Sequence, residues 1–371
     1  MKVQRVQLPE DQGITWVVLG NDYLPVQPIT EFLTYMRNLE YSPNTIRAYA
    51  NHLRLYWEYL QDAQLDWQTI GKTELAAFIG WLRSPQANTV SIQEQESKRT
   101  EVTVNTILTA VCMFYEYHEQ TGEFDHVPLY KTQMQPGRRY KSFLHHINKS
   151  KPVKTRLLKL KEPKRQVKTL TQEQVKTLID TCKHLRDKFL ICLLHETGMR
   201  IGQALGLQHE DVRSWDNQIQ VVPRNDNPNG ARAKSREAYT IDVTSDLMSL
   251  YTDYFLKECG DVDSVFVFVN LWDGEVGEPM TYNAIADLFN RLSKKVGFHV
   301  TPHMLRHTHA TELIRGGWDA AYVQKRLGHR QVQTVINTYT HLTNDDMKNA
   351  FKDYLEKQGR LPDETTTEPI E

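Results

Sequence analysis

Four cysteines in 371 residues, Cys112, Cys182, Cys192 and Cys259, are few and irregularly spaced. That spacing argues against a disulfide framework or a zinc module and points to a reducing cytoplasm. Long hydrophobic runs are also lacking. No stretch reaches the roughly 18 apolar residues of a membrane span, so no membrane association is expected. The start, Met-Lys-Val-Gln-Arg-Val, leads into polar residues and does not read as a secretion signal. Nor is there an excess of one charge, because the net charge is −1. A chain of this length, 40% apolar and 25% charged, is expected to bury two globular cores.

The near-zero net charge hides a strong asymmetry. From Lys131 to Lys168 there are 13 Lys or Arg and one acid, Glu162, a local charge of +12 that leaves −13 for the rest. Such a belt is the footprint of phosphate binding, since each neutralised phosphate releases counterions. It includes Arg138, Arg139, Lys149, Lys151 and Lys154 as candidate DNA contacts. A solvated linker is the bland alternative. Interspersed Tyr140, Phe143, Leu157 and Leu158 favour a segment that orders on a partner.

Patterning along the chain gives a mainly α fold with a small antiparallel sheet, an α+β class. Residues 1–26 read as a hairpin-like appendage, with β-like runs Val3 to Leu8 and Ile14 to Leu19. Residues 27–125 read as a helical domain. Ser42-Pro43 caps a helix whose buried face is Ile46, Tyr49, Leu53, Tyr56, Trp57 and Leu60. Arg47, Asn51 and Arg54 lie on another face, suited to a DNA groove or to plain solvent. A helix near Thr73 presents Leu75, Phe78, Ile79 and Leu82. A polar loop with Lys98 and Arg99 follows, and then a helix with Ile107, Val111 and Phe114 that Gly122 ends. The basic segment 126–167 links to a second domain, 168–358, opened by the capping box of Thr171 and Gln174. There a buried helix spans Leu190 to Glu196, and strands are expected at 218–222, 238–243 and 265–269. Further helices are expected at 245–258, 281–296, 302–315, 319–327 and 333–342. The acidic tail, 359–371, reads as disordered.

Six residues of the second domain carry the chemistry. Attack on a phosphodiester adds charge to the non-bridging oxygens, and fixed cations must meet it. Arg200, in Thr-Gly-Met-Arg-Ile-Gly, is expected at a helix start. His303 and Arg306 are expected in the first turn after Thr301-Pro302, where backbone N–H groups also favour an anion. Lys234 lies in a Gly-rich turn between two strands. It can enter a minor groove and protonate a leaving 5′ oxygen, or be an ordinary turn lysine, and neighbouring Arg232 and Arg236 leave both open. His329 follows a helix-ending Gly328 and can donate to a phosphate oxygen. Tyr339 supplies a phenol which, with cationic neighbours and His303 as partial base, can attack phosphorus. Each residue alone has a commoner structural explanation; their combination points to metal-free, cofactor-free cleavage of DNA through Tyr339.

Two rival sites are weaker. His303, His307 and His309 have partial metal-ligand spacing, but Met304 replaces the glutamate of His-Glu-x-x-His, and no third ligand is obvious. His307 and His309 are better read as structural. Gly71-Lys72-Thr73 has the end of a phosphate loop, but Asp66 stands where its first glycine belongs, and Thr73 reads as a helix cap.

The ordered set Arg200, Lys234, His303-x-x-Arg306, His329 and Tyr339 resembles that of the tyrosine site-specific recombinases, the phage-integrase family. The likeness covers 168–345. Residues 27–125 are similar to the family's SAM-like core-binding domain, notably Ser42-Pro43-Asn44-Thr45-Ile46-Arg47-Ala48-Tyr49. Met1-Lys2-Val3-Gln4-Arg5 and Asn229-Gly230-Ala231-Arg232-Ala233-Lys234-Ser235 resemble the transposases of site-specific bacterial transposons. The resemblance implies a two-domain clamp on double-stranded DNA at specific sites, a 3′-phosphotyrosine, a Holliday junction and a tetrameric synapse. Arg200, Arg306 and His329 would bind the scissile phosphate, with Lys234 the acid and His303 an aid to proton transfer. The helix Asn344 to Gln358, with Met347, Phe351 and Leu355 on one face, would pack on a neighbouring protomer. Accessory transposition or directionality proteins are further implied partners, in a bacterial cytoplasm. One departure is Gln203, where the family usually carries an acid. A type IB topoisomerase uses a similar array, and a catalytically silent DNA-binding regulator is the remaining alternative.

Overall fold

The computed structural model describes residues 1–8, 14–84, 97–122, 130–133, 153–156, 158–163, 167–224, 226–233, 237–260, 262–272 and 274–328. The chain divides into two compact units, Met1–Lys164 and Arg165–Glu371. Both are helical with short antiparallel sheets, as the patterning leads one to expect.

In the first unit, β1 (Lys2–Gln7) pairs antiparallel with β2 (Ile14–Leu19), Lys2 opposite Leu19 and Gln7 opposite Ile14. This hairpin is part of the core: Val18 is fully buried in one cluster with Ile29, Phe32 and Leu53. Helix α1 (Gln27–Asn38), which the periodicity does not single out, carries Ile29, Phe32, Leu33 and Met36 inward. Helix α2 (Pro43–Asp62) starts at Ser42, whose hydroxyl accepts from Thr45 N–H. Helix α3 (Lys72–Arg83) is not capped by Thr73. It starts one residue earlier, and the Gly71 N–H donates to the Glu74 carboxylate. A carboxylate in the first turn does the capping because the N-terminal amides and the helix dipole favour an anion there.

Helix α4 (Glu101–Thr121) ends at Gly122, in the left-handed region at φ 78°. Part of the basic belt has regular backbone, β3 (Tyr130–Gln133) paired with β4 (Val153–Arg156). The belt's far end is tied to α4. Asn105 donates to the Leu160 carbonyl and to Glu162, and its own carbonyl accepts from Leu160 N–H. The one acid of the belt is thus an anchor for it.

The second unit is built on α5 (Gln172–Thr181), α6 (Leu185–Thr197) and α10 (Pro302–Arg315). Thr171 and Gln174 form the expected reciprocal cap of α5. Helix α6 starts five residues before Leu190, and Phe189, Leu190, Leu193 and Leu194 are all fully buried. Beside these lies the sheet β5 (Val212–Arg213), β6 (Gln218–Val221) and β7 (Tyr239–Asp242), all antiparallel. Residues 265–269 do not form the expected strand. They make isolated bridges, Gln208 to Phe266 and Val269 to Pro279, because loop segments rather than a ladder meet them on both sides. Residues 245–258 split into α8 (Ser245–Tyr254) and a π-helical turn, Phe255–Cys259. Helices α9 (Tyr282–Val296) and α11 (Ala320–Leu327) complete the unit. The expected helix at 333–342, the helix Asn344 to Gln358 and the tail lie outside the described residues. Among the described residues no helix is long and apolar enough to cross a membrane.

Candidate active site

Arg200 is the residue before α7 (Ile201–Leu205), where the chain leaves extended geometry for the helix. Its N–H donates to Gln203 Oε1 at 2.8 Å. Gln203 is 4% exposed, and its Nε2 donates to the Tyr239 hydroxyl at 3.0 Å. A glutamine here therefore does two things, closing the first turn of α7 as an acceptor and holding β7 as a donor.

Arg306 is the fifth residue of α10, one turn from its N-terminus, and is 3% exposed. Its Nη1 donates to the Gly198 carbonyl at 2.6 Å and its Nη2 to the Leu327 carbonyl at 2.9 Å. Those carbonyls end α6 and α11, where backbone acceptors lack helical partners and a cation is favoured. One buried guanidinium thus joins the Thr-Gly-Met-Arg turn to the Leu-Gly-His turn.

Both turns need their glycines. Gly198 and Gly328 adopt φ of 63° and 61°. A Cβ on Gly198 would meet His309 and Leu327 at 2.6 Å, and one on Gly328 would meet Tyr239 Cζ and Oη at 2.9 Å. Left-handed backbone and close approach together exclude other side chains.

Tyr239 sits where these parts converge. Burial pushes its hydroxyl up from the usual phenol value, while the Gln203 hydrogen bond and the charges of Arg306 and Arg200 pull it down. The phenol therefore stays protonated in a cationic setting. Arg200 Nη1 is buried and has no hydrogen-bond partner among the described residues. A buried donor left open costs about 1 to 3 kcal/mol, and an anion reaching it would remove that cost.

Lys234, His329 and Tyr339 lie outside the described residues, but the chain entering two of them is fixed. Asn229 donates to the carbonyls of Leu205 and Met280, and the Arg232 carbonyl stands 2.6 Å from where a Gly202 Cβ would be. The Gly-rich turn ahead of Lys234 is thus packed on α7, with Ala231 fully buried. Gly328 ends α11 directly before His329. His303 is exposed and its ring lies 6.2 Å from His307, nearly parallel. Burial first, then the charges of His303 and Arg306, holds His307 below the usual imidazole value.

His309 is structural. Its Nε2 accepts from Arg326 Nε at 3.2 Å, so the lone pair a metal would need is occupied. Burial, then Arg326, His195 and Arg306, pushes its pKa down to about 3. Arg326 also donates to the carbonyls of Glu196 and Asp242. Neither Tyr239 nor Arg326 stood out from the sequence. The strand alternation did carry a signal for Tyr239, which shares a strand face with the buried Ile241.

In the first unit, the side chain of Arg47 is exposed and lies over the Trp16 ring at 5.0 Å. Asn51 Nδ2 donates to the Arg47 carbonyl at 2.8 Å, so it bonds back onto its own helix. Arg54 pairs with Glu58. Arg99 donates to the Leu82 carbonyl, and burial and the Arg54 charge lower its pKa. Lys98 is exposed. The structure thus brings Arg54 and Arg99 close together. Arg138, Arg139, Lys149 and Lys151 lie outside the described residues, and Lys154 is described as backbone in β4.

Known proteins resemble this chain in sequence and in fold. Residues 168–346 match the phage integrase family, and residues 29–122 match the phage integrase N-terminal SAM-like domain. The chain is 44% identical over 360 residues to transposase A from transposon Tn554 of Staphylococcus aureus, covering 96% of this chain and 99% of that protein. It is 31% identical over 188 residues to the tyrosine recombinase XerA of Saccharolobus solfataricus, covering 51% of this chain and 57% of that one. Among solved structures, a Tn1549 transposon integrase in complex with circular intermediate DNA aligns over 88% of this chain and 99% of that one, with a TM-score of 0.63 at 17% identity. That last likeness speaks for the fold.

Proposed function

The chain belongs to the phage integrase family of tyrosine recombinases, with the Tn554 transposase A among its relatives, and from that premise we propose that it is a transposase cutting and rejoining double-stranded DNA at specific sites through Tyr339. One observation carries the reading. Arg306 ties two helix-end turns together around Tyr239, and Arg200 Nη1 is left buried beside them, without a partner among the described residues.

In this mechanism the non-bridging oxygens of the scissile phosphate accept from Arg200, Arg306 and His329. The Tyr339 phenolate oxygen bonds to phosphorus as the bond to the 5′ oxygen breaks. Lys234 gives its proton to that oxygen, and His303 takes part in removing the phenol proton. The products are a 3′-phosphotyrosine and a free 5′-hydroxyl. Because the phosphodiester energy is kept, the reverse attack by another 5′-hydroxyl rejoins the strand without a cofactor or metal. Two rounds on paired sites pass through a Holliday junction, made by a tetramer that Asn344–Gln358 helps to hold. Accessory transposition proteins and a bacterial cytoplasm fit the same reading, and the solved complexes of related fold with DNA support the partner.

Basic groups of the first unit complete the DNA interface: Arg47, Asn51, Arg54, Lys98 and Arg99, with Arg138, Arg139, Lys149, Lys151 and Lys154 from the belt and Arg232 from the second unit. Tyr339→Phe is the direct test. It is expected to retain DNA binding and lose the SDS-resistant adduct on a nicked suicide substrate. An adduct that persists in this variant removes Tyr339 as nucleophile.

A further inference from the structure

We propose that the Tyr239 phenol is a further hydrogen-bond donor to the phosphate held at this site, freed for that role by Gln203. This rests on the reading above, in which Arg200 and Arg306 bind a scissile phosphate.

The polarity of the network decides the matter. The Arg200 backbone N–H is a donor, so the atom of Gln203 that faces it at 2.8 Å is the carbonyl oxygen. The amide nitrogen must then face Tyr239, and across the 3.0 Å contact the phenol oxygen accepts. A phenol has a single proton. Here that proton is not used toward residue 203, and the Tyr239 hydroxyl makes no other hydrogen bond among the described residues. An acid at 203 would reverse this. Both of its oxygens accept, so Tyr239 would have to give its proton to the carboxylate. Gln203 is the one departure from the family pattern in the sequence, and its effect is to leave a protonated phenol with a donor to spare.

The location suits a phosphate oxygen. Tyr239 Oη lies 2.9 Å from where a Gly328 Cβ would stand, so it abuts the turn that leads into His329. Arg200 and Arg306 both act electrostatically on it. Arg200 Nη1, buried and unpartnered among the described residues, is an independent sign that an anion enters here. A neutral donor within the field of two cations adds a directed bond without adding charge repulsion, and it strengthens as charge grows on the oxygen in the transition state.

The test is single-turnover adduct formation on suicide DNA with the full-length protein. Wild type, Tyr239→Phe, Gln203→Glu and the double variant are compared. Tyr239→Phe keeps the ring against Gly328, and the rates are compared at saturating protein so that a change in DNA affinity does not enter them. Its cleavage should slow about 10- to 100-fold, the range for one hydrogen bond to a charged group. Gln203→Glu should slow the wild type similarly and leave Tyr239→Phe unchanged, because there is then no phenol proton to recapture. A stereopure methylphosphonate at the scissile position separates direct contact from support. For one diastereomer the wild type and Tyr239→Phe should cleave equally; for the other the difference should persist. A difference that persists in both diastereomers, or a Tyr239→Phe rate equal to wild type on native phosphate, overturns the proposal. Absence of an adduct with wild type removes the phosphotyrosine reading as well, whereas a wild-type adduct with an unaffected Tyr239→Phe removes this inference alone.

Discussion

Replacing Gly328 by alanine adds one methyl group at the turn before His329, and its cost divides into two parts. Residue 328 has φ 61°, a region that costs an L-residue with a Cβ about 1 to 2 kcal/mol. The new Cβ would stand 2.9 Å from Tyr239 Cζ and Oη and 3.0 Å from Cε1. Tyr239 is wedged between Gln203 and this turn and cannot swing aside without giving up its hydrogen bond. Overpacking of that kind costs a further 1 to 3 kcal/mol or so. Gly297 supplies the control. It ends α9 at φ 79°, and a Cβ there meets nothing within 4 Å. Gly297→Ala should therefore show the backbone cost alone, and Gly328→Ala about 1 to 3 kcal/mol more. Urea unfolding of both variants measures the difference, and adduct formation on suicide DNA should fall in Gly328→Ala only. Equal unfolding midpoints with full activity in both would refute the packing of Tyr239 on the Leu-Gly-His turn.

Three other outcomes follow from the same geometry. Arg306→Ala strands the buried carbonyls of Gly198 and Leu327, at about 1 to 3 kcal/mol each, and should lower the urea midpoint far more than Arg200→Ala, whose Nη1 has no partner among the described residues. His309, with its pKa pushed down to about 3, should make the fold sensitive to acid. Below the unfolded value of about 6.5 the unfolded chain binds the extra proton. Stability should therefore fall by about 2 kcal/mol between pH 7 and pH 5, and His309→Gln should flatten that slope in urea melts at each pH. Neutralising Lys149, Lys151 and Lys154 together should reduce the log–log salt slope of DNA binding by about 0.9 for each phosphate left without a cation; an unchanged slope would mean the belt does not touch phosphates.

Element type was legible wherever local chemistry decides it. Ser42, Thr171 and Gly122 mark helix ends through bonds that span three or four residues, and α2 buries the face its spacing announces. Legibility failed where distant partners decide. Residues 265–269 are apolar enough for a strand but meet loops instead of strands. The N-terminal hairpin reads as an appendage until Val18 is seen inside the helical core. At the site, Arg200 and Arg306 were found from their motifs. What they do to the fold was not, since Arg306 bonds residues 108 and 21 positions away. Gln203 appeared in the sequence only as a departure. Its meaning depends on Tyr239, 36 residues on, and on the fixed direction of one amide.

Tyr339 is expected to become joined to a DNA 3′ end. Trapping the adduct on a suicide substrate in EDTA, digesting it and sequencing the modified peptide by mass spectrometry tests this directly. The expected result is a single nucleotide-bearing peptide, with a 3′-phosphate ester on Tyr339. A modification on another residue, a 5′ linkage, or an adduct that forms only with a divalent metal would contradict it.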